Sequence, residues 1–302
     1  MKALVLLNAA AGTLAANGTS DHRSVAYALA AAGIDADIQL VAGPQLQAAA
    51  RAAADSQVDV VIVGGGDGTL SSVAGALAGT PMPLGILPLG TLNHFAKDLG
   101  IPFDLTEAAR VIAANHVGGV DVGEVNGRVF INNSSLGVYP HMVLDREDQR
   151  KRFGVGKWWA MCVAVFKTFR RFPLVQVRLT INGESVVRKT PLVFIGNNCY
   201  QLDLFRIGTR ACLDRGELSL YVANAQTRWG MLKLTLRGLF GGLQQARDFE
   251  TSCLVDCVIE SRRRRIHVAA DGEVFETAFP LRYRVRAGEL GVCLPQKPPV
   301  NV

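Results

Sequence analysis

Four glycines and an aspartate follow directly on an apolar run in "VIVGGGDGTLSSV", which extends from Val61 to Val73. Glycines at the carboxyl end of a buried strand let a ligand approach the backbone without meeting a Cβ atom. The helix predicted to begin near Thr69 would direct its free N–H groups and the positive end of its dipole to the same point. The stretch therefore predicts an anion site, with phosphate the leading ligand. A tight turn between a strand and a helix is the alternative.

Asp67 is the unusual member of this stretch, because a carboxylate repels phosphate unless a cation lies between them. Mg²⁺ that accompanies a nucleotide would supply that cation. The alternative is that Asp67 caps the helix that follows. The stretch has neither the P-loop pattern nor the dinucleotide GxGxxG pattern, so the kind of nucleotide stays open at this point.

A second glycine turn, "LPLGTLNHFAKDLG" at 87–100, follows another apolar run. Gly90, Thr91 and Asn93 supply a flexible backbone, a hydroxyl and an amide, which are groups that can line a nucleotide pocket. If both turns follow parallel strands, they lie on the same rim of the sheet. An ordinary helix start with Asn93 as the cap is the alternative.

The elements around these turns divide the chain into two predicted domains. Residues 1–118 alternate short apolar runs with alanine-rich helical stretches, which predicts a doubly wound α/β domain with a parallel sheet covered on both faces. Residues 119–295 have period-two patterns with Asn-Gly at 126–127 and 182–183, which predicts an antiparallel, β-sandwich-like domain. Helical insertions are expected at about 156–172 and 228–247, and residues 296–302 form a loose tail. The cleft between two domains is the default place for a ligand.

Composition sets broad limits on the class of protein. The chain has 302 residues, of which 49% are hydrophobic and 19% charged, as expected for a soluble globular protein. Its longest apolar runs fall short of the roughly 18 residues of a spanning helix. A formal net charge of +6 fits anionic ligands, anionic lipid surfaces or nucleic acid, and does not decide among them. The six cysteines form no CxxC pair, which favours reduced thiols in a cytosolic protein.

Four motifs together carry a family resemblance. "GGGDGTLSSV", "GILPLGTLNHFAKDLGIP", "VDVGEVNGRVFINNSSLGV" and "AADGE" follow one another in the order found in the diacylglycerol kinase catalytic-domain family. That family includes bacterial soluble lipid kinases, sphingosine kinases and ceramide kinases. The GGDGT element is shared with NAD kinases and phosphofructokinases, whereas the four elements in order are specific. The resemblance spans nearly the whole chain, and it implies transfer of the ATP γ-phosphoryl group to a lipid hydroxyl.

The resemblance also implies roles for individual residues. Glu273, or Asp271 beside it, would accept the proton of the lipid hydroxyl, and Asp67 is the other candidate for this base. Asp67 would anchor the Mg²⁺ that accompanies the nucleotide, and Asp121 matches an acidic position of an Asp–water–Mg²⁺ network. Asp214 and Gly216 resemble the segment where some bacterial members hold a structural Mg²⁺. The implied nucleotide-binding residues are Asn8, Gly12, Gly65, Gly66, Asp67, Gly68, Thr69, Gly90, Thr91 and Asn93.

The chain departs from the family pattern at several of these places. Its first loop reads "NAAAG" and lacks the usual serine, and "LVAGP" lacks the threonine that usually follows the second strand. His94 stands where the second loop usually has an aspartate, and Arg215 follows Asp214 where a second aspartate is common. We therefore expect fewer nucleotide and metal contacts than in better-matched members.

Three stretches could meet a membrane. Residues 156–172 and 228–243 combine tryptophan and phenylalanine with lysine and arginine, which is typical of amphipathic helices at an anionic membrane surface. Core-packing helices with a basic outer face are the alternative. "SRRRRIHV" at 261–268 is predicted as a strand whose arginines point to alternate faces. It is either a solvated edge strand or a stretch attracted to anionic lipid or phosphate.

The sequence thus predicts an ATP- and Mg²⁺-dependent lipid kinase with diacylglycerol as the leading acceptor. A sphingoid base or ceramide is the alternative acceptor, and phosphorylation of a soluble nucleotide, as by NAD kinases, is an alternative reaction. A nucleotide-regulated membrane-binding module without kinase activity is the alternative of another class. As partners we expect a lipid substrate and an anionic membrane surface, and no nucleic acid, in the cytoplasm with reversible membrane contact. The oligomeric state, a homodimer included, stays open.

Overall fold

The chain folds into two compact units in the computed structural model. The first unit comprises Met1–Val122, Ala211–Gly216 and Arg286–Val302, and the second comprises Gly123–Arg210 and Glu217–Val285. The structure describes residues 1–9, 19–137, 140, 174–198, 202–203, 206–207, 213–225, 227, 229–230 and 248–296.

The first unit is built on a parallel sheet. Its strands are β1 (Lys2–Asn8), β2 (Asp35–Val41), β3 (Val60–Gly65) and β4 (Leu84–Pro88), in the order β2-β1-β3-β4. All three pairings are parallel. The end of the last strand of the chain joins this sheet, where Val292 pairs in parallel with Leu84.

Helices alternate with these strands, as the sequence predicts. They are α1 (Thr19–Ala31), α2 (Leu46–Ala54), α3 (Asp67–Leu77), α4 (His94–Asp98) and α5 (Leu105–Ala113). A short 3₁₀ turn, Gly43–Gln45, precedes α2. Helix α1 packs against α5, and α2 packs against α3. The connection from β1 to β2 runs in one direction across the sheet, and the connections from β2 to β3 and from β3 to β4 run in the opposite direction. Because such crossovers are right-handed, α1 lies on one face of the sheet and α2 and α3 lie on the other.

Strands β1, β3 and β4 form the core of this unit because they are largely apolar, whereas the edge strand β2 is mostly exposed. Val5, Leu6 and Leu7 of β1 and Val60 to Val63 of β3 have no solvent exposure. A strand buried on both faces reads as a continuous apolar run, which is why the sequence pattern identified these strands. The predicted doubly wound α/β domain is confirmed.

The second unit is an antiparallel β structure. One sheet has the order β14-β13-β10-β7-β16-β17, and a second group of strands pairs in the order β18-β15-β8-β9. Strand β5 pairs with β6 and with β18, and β11 and β12 form a separate two-stranded sheet. The strands from β5 onward are β5 (Val117–Val125), β6 (Arg128–Phe130), β7 (Asn133–Gly137), β8 (Val175–Ile181), β9 (Glu184–Thr190), β10 (Leu192–Asn197), β11 (Leu202–Asp203), β12 (Arg206–Ile207), β13 (Leu218–Ala223), β14 (Phe249–Leu254), β15 (Asp256–Glu260), β16 (Arg265–Ala270), β17 (Glu273–Ala278) and β18 (Leu281–Cys293). Strands β5 and β18 begin in one unit and end in the other.

A large apolar core joins the two sheets of this unit. Val177, Ile259 and Tyr283 from one sheet share it with Leu136 and Val268 from the other. The Tyr283 hydroxyl lies 3.0 Å from the hydroxyl of buried Ser134, so its polar end is hydrogen-bonded within the core. Two sheets packed face to face around one core form a β-sandwich. The predicted all-β C-terminal domain is therefore confirmed.

The Asn-Gly pairs form the hairpin turns that the sequence predicts. Asn126 and Gly127 have φ of 48° and 84°, and Asn182 and Gly183 have φ of 51° and 84°. Positive φ at both central residues is the type I′ geometry that matches the twist of the flanking strands. The first pair joins β5 to β6 and the second joins β8 to β9.

The arginine-rich stretch differs from its prediction as a continuous strand. Strand β16 begins at Arg265, and Ser261–Arg264 form a bend before it. The physical reason is that β15 and β16 belong to different sheets, so the chain leaves one sheet and enters the other at this point.

The remaining predictions about organisation concern boundaries and helices. The first unit continues four residues beyond the predicted boundary at 118 and includes two later segments of the chain. The predicted membrane stretch 156–172 lies outside the described residues, and of 228–243 the structure describes Trp229 and Gly230. Among the helices within the described ranges, none has the length and apolar character needed to cross a bilayer.

Candidate functional site

The carboxyl ends of β1, β3 and β4 form one rim of the first unit. Strands β2 and β3 lie on either side of β1, so the strand order reverses between β1 and β3. Such a switch point is where open α/β sheets bind ligands, because the loops on its two sides diverge. Here Asn8, at the end of β1, donates a hydrogen bond of 2.9 Å from its Nδ2 to Oγ1 of Thr69 in the first turn of α3. Two predicted nucleotide-binding residues are thus in contact across the switch point.

The two glycine turns touch through their backbones. A Cβ atom on Gly90 would lie 2.3 Å from Cα of Gly66 and 3.0 Å from its backbone nitrogen. Backbone atoms cannot move aside as the end of a long side chain can, so glycine is required at position 90. The structure therefore brings the turns of "GGGDG" and "PLGT" together on one rim.

Asp67 links the same two turns through its carboxylate. Its Oδ2 accepts a hydrogen bond from the backbone N–H of His94 at 3.2 Å, and its Oδ1 accepts one from the N–H of Phe95 at 3.0 Å. These are the first N–H groups of α4, which lack a partner within their own helix. Asp67 therefore caps α4, which begins 27 residues later in the chain, whereas the cap position of its own helix is occupied by Gly66.

Asn93 shapes the second turn from within. It has a left-handed backbone with φ of 49°, and it is buried. Its Oδ1 accepts a bond of 2.9 Å from the N–H of Gly90, and its Nδ2 donates a bond of 2.7 Å to the carbonyl of Gly90. Asn93 thus occupies the cap position of α4 but holds the turn that precedes the helix. Thr91 beside it is exposed on the rim.

Gly68 stands in open space at the start of α3. A Cβ atom there would meet no atom within 4 Å, and its φ is not in the left-handed region. Packing and backbone conformation thus explain Gly90 but not Gly68. Gly12, the other predicted contact from the first loop, lies outside the described residues.

Asp121 is a buried anchor within the first unit. It is 1% exposed, and its Oδ2 and Oδ1 accept bonds of 2.6 Å and 2.8 Å from the N–H groups of Gly216 and Gly288. Its own N–H donates to the carbonyl of Leu213 at 2.8 Å. Asp121 therefore ties two segments that return late in the chain to this unit, while nearby Asp214 is exposed.

The described residues contain no cluster of three or more His, Cys, Asp or Glu side chains placed to hold a metal ion. Mg²⁺ is commonly held by one or two carboxylates and the phosphates of a nucleotide, so a cage made wholly of protein is not required. A carboxylate offers about four acceptor positions, and Asp67 uses two of them for α4. Asp67 therefore fits a cation on the rim, and metal binding by Asp121 and Asp214 stays a prediction.

Asp271 holds the "ADGE" turn of the second unit in place. The turn joins β16 to β17, with φ of 47° at Asp271 and 85° at Gly272. The Asp271 carboxylate accepts three backbone hydrogen bonds of 2.7 to 3.0 Å, from the N–H groups of Ile131, Asn132 and Asn133. Its own N–H donates to the carbonyl of Asn133 at 2.9 Å. Asp271 thus fixes the turn to the segment that follows β6.

Glu273 has a different setting at the start of β17. Its side chain is 55% exposed, and its carboxylate is paired with the guanidinium of Arg128. That guanidinium also lies over the ring of Phe275, 4.4 Å from the centroid. Sequence reasoning did not identify Arg128, because no local pattern connects residues that are 145 positions apart. The turn therefore presents one carboxylate engaged with the backbone and one that reaches solvent.

Comparison with known proteins agrees with this architecture. Residues 2–125 match the sequence model of the diacylglycerol kinase catalytic domain. Residues 2–125 are thus similar to the catalytic domain of diacylglycerol kinases. The matched residues include all of β1 to β4 and both glycine turns.

Curated relatives to which this chain is similar are named diacylglycerol kinase. The one from Staphylococcus saprophyticus is 30% identical over 189 residues, which cover 61% of this chain and 61% of the relative. The one from Staphylococcus aureus is 31% identical over 175 residues, which cover 57% of this chain and 55% of the relative. The chain thus spans about three fifths of the length of these relatives.

A solved structure extends the likeness to the whole fold. The crystal structure of a diacylglycerol kinase from Bacillus anthracis has a TM-score of 0.71 and 26% sequence identity to this chain. The match covers 100% of this chain and 98% of that chain. Both units therefore share the architecture of a diacylglycerol kinase.

Proposed function

We propose that the protein is an ATP-dependent lipid kinase that transfers the γ-phosphoryl group to the hydroxyl of a lipid, with diacylglycerol as the acceptor. The match of residues 2–125 to the diacylglycerol kinase catalytic domain and the names of the relatives support the class of reaction. The rim of the first unit supports the use of a nucleotide. The observation that carries the proposal is the contact of two glycine turns at the switch point, with the unfilled space of Gly68 beside them.

We assign phosphate binding to the backbone at the start of α3. The N–H groups of its first turn have no side-chain cap, since Gly66 occupies the cap position. A helix start with free N–H groups attracts anions. A glycine in a helix costs about 0.5 to 1 kcal/mol relative to alanine. Neither packing nor backbone conformation explains why position 68 is glycine rather than alanine. A phosphate that approaches the backbone closely would explain it.

Asp67 has two tasks in this proposal. It holds the second glycine turn through the N–H groups of His94 and Phe95, and its remaining lone pairs face a cation. Mg²⁺, when bound, neutralises the charge of the β and γ phosphates. His94 stands where the family pattern usually has an aspartate, so Asp67 would have one carboxylate fewer beside it.

We assign the general base to Glu273 and a positioning role to Asp271. Both oxygens of Asp271 are engaged by backbone donors, whereas Glu273 reaches solvent and has Arg128 as its partner. The lipid hydroxyl oxygen bonds to the γ phosphorus while the bond to the β–γ bridging oxygen breaks. ADP leaves, and the hydroxyl proton passes to Glu273.

Membrane contact through residues 156–172 and 228–243 is part of the same proposal. One described residue of the second stretch, Trp229, is 70% exposed. An exposed tryptophan suits the interface between water and lipid. Reversible binding at that interface would give the protein access to a lipid acceptor.

One assay tests the function and its alternatives. Purified protein is incubated with Mg²⁺ and γ-labelled ATP and with diacylglycerol, sphingosine, ceramide or NAD in turn. The proposal expects labelled phosphatidate from diacylglycerol. Label in the sphingosine or ceramide product would show that the acceptor is one of these lipids and not diacylglycerol. Label in the NAD product would show that the protein phosphorylates a soluble nucleotide and not a lipid. ATP binding without transfer to any of the four would support a membrane-binding module.

A further inference from the structure

Three successive arginines lie in the connection between the two sheets of the second unit. Strand β15 ends at Glu260 and β16 begins at Arg265, and Ser261–Arg264 form what we call the basic bend. The Ser261 hydroxyl donates a bond of 2.9 Å to the carbonyl of Gln176. At the other end, the carbonyl of Arg264 accepts a bond of 3.1 Å from the N–H of Phe279. The backbone of the bend is thus anchored at both ends, and Arg262, Arg263 and Arg264 are exposed.

Two further cations lie beside the basic bend. Arg178 on β8 is paired in the ladder with Glu260, the last residue before the bend. Lys189 on β9 is opposite Gln176, the residue to which Ser261 is hydrogen-bonded. Both side chains are exposed on the outer face of the sheet, because Val175, Val177 and Leu179 of β8 face the core. Five cations and one carboxylate, Glu260, are therefore gathered at one end of this sheet.

These five cations lack the counterions that neighbouring arginines have. Within the described ranges, none of Arg178, Lys189 and the three arginines of the bend forms an ion pair. By contrast, Arg265 lies 3.0 Å from Glu276, and Arg188 lies 2.8 Å from Glu250. Adjacent like charges repel one another. The passage of the chain from one sheet to the other does not itself need arginines at these positions. An external polyanion would relieve that repulsion.

We propose that the basic bend, with Arg178 and Lys189, is a docking surface for an anionic lipid bilayer. The proposal rests on the proposed lipid kinase function for its choice of a bilayer over other polyanions. A bilayer is an extended anionic surface, and an exposed row of cations at the end of a sheet can meet it without a pocket. This surface consists of residues other than the aromatic stretches 156–172 and 228–243.

The test is binding to vesicles, measured by sedimentation in the absence of ATP. Each arginine at an anionic surface strengthens binding roughly five-fold, so loss of three weakens it roughly 100-fold at low salt. We expect this loss for the variant Arg262→Gln, Arg263→Gln, Arg264→Gln, with vesicles of phosphatidylcholine containing phosphatidylglycerol. The matched lysine variant, Arg262→Lys, Arg263→Lys, Arg264→Lys, keeps the charge and should bind as the natural protein does. Vesicles of phosphatidylcholine alone should bind neither.

A second control separates this surface from overall charge. Lys2, Arg23 and Arg51 are exposed cations of the first unit, and their replacement by glutamine changes the net charge by the same amount. That variant should bind anionic vesicles within a few-fold of the natural protein. Equal losses for the two glutamine variants, or no loss for the bend variant, would overturn the proposal. Natural protein that ignores vesicles but binds a single-stranded oligonucleotide through the bend would also overturn it.

The outcome is independent of catalysis. Kinase activity on diacylglycerol in neutral detergent micelles should be the same for the natural protein and the bend variant, because the bend is not part of the proposed phosphoryl-transfer machinery. Bend-dependent vesicle binding without any kinase activity would refute the proposed function and leave the docking surface standing. Full activity in micelles, with vesicle binding that does not depend on the bend, would refute the docking surface and leave the proposed function standing.

Discussion

Replacing Gly90 with alanine should disturb the nucleotide rim by a route that can be worked out from the structure. The added Cβ would lie 2.3 Å from Cα of Gly66 and 2.6 Å from Oδ1 of Asn93. Both neighbours hold the turns in place, so the two turns must separate. Overpacking of this kind costs about 1 to 3 kcal/mol. For a protein of this size, that lowers Tm on the order of 5 °C.

Gly68→Ala is the matched control, since a Cβ atom there meets nothing within 4 Å. We expect the free protein to keep its stability within about 1 kcal/mol. Its methyl group, however, would occupy the space assigned to a phosphate, so we expect ATP to bind at least ten-fold more weakly. Gly90→Ala should lose both stability and ATP binding.

Thermal unfolding with and without MgATP separates these effects. A ligand at 100 times its Kd stabilises the folded state by about 2.7 kcal/mol, and after a ten-fold loss of affinity the same concentration gives about 1.4 kcal/mol. Without ligand, Gly68→Ala should therefore have a Tm close to that of the natural protein. MgATP should raise the Tm of Gly68→Ala by less than it raises the Tm of the natural protein. A full MgATP shift in Gly68→Ala would refute the placement of the phosphate. A natural Tm in Gly90→Ala would refute the packing argument.

Four further predictions concern two anchoring carboxylates and two buried thiols. Asp121→Ala should lower the free energy of unfolding by about 2 to 4 kcal/mol, because two backbone N–H groups lose a charged acceptor, and urea unfolding would show it. Asp271→Asn tolerates the left-handed backbone but offers one acceptor in place of two, so we expect a loss of about 1 to 3 kcal/mol in thermal unfolding; an unchanged Tm would contradict the anchoring role. Burial raises the pKa of Cys257 to about 12 and that of Cys293 to about 11, so at pH 8 iodoacetamide should modify exposed Cys253 and spare both of them, as mass mapping would reveal. Because their unfolded pKa is near 9, their contribution to stability should be complete below pH 9 and decline toward pH 12, and a flat stability profile over that range would count against their burial.

Local sequence signals predicted most of the fold. Continuous apolar runs identified β1 and β3 because both faces of a parallel sheet are buried. The Asn-Gly pairs at 126–127 and 182–183 identified two hairpins because both residues tolerate positive φ. These signals succeed because the cause of the structure lies within a few residues of the chain.

The contacts that build the site depend on distant residues. The carboxylate of Asp67 reads locally as a helix cap, yet its donors are His94 and Phe95. The partners of Asp121 lie 95 and 167 positions later, at Gly216 and Gly288. The periodicity of a sequence does not indicate which loops come together in the fold. These partners could therefore be identified only from the structure.

The basic bend shows a different limit of sequence reasoning. Alternation predicted a strand over 261–268, whereas the strand begins at Arg265. The alternation of residues in a strand does not indicate to which sheet that strand belongs. Strands β15 and β16 belong to different sheets, and the chain bends between them. That change exposes three successive arginines that an extended strand would have divided between two faces.

The central claim is that this chain phosphorylates a lipid hydroxyl with Glu273 as the base. The most direct measurement is the rate of label transfer from γ-labelled ATP to diacylglycerol in mixed micelles, for the natural protein and for Glu273→Gln. Loss of a general base typically costs about 100-fold or more in kcat. We predict labelled phosphatidate from the natural protein and a rate at least 100-fold lower in Glu273→Gln, with unchanged Tm and unchanged affinity for ATP. No phosphatidate from the natural protein, or a near-natural rate in Glu273→Gln, would contradict the account.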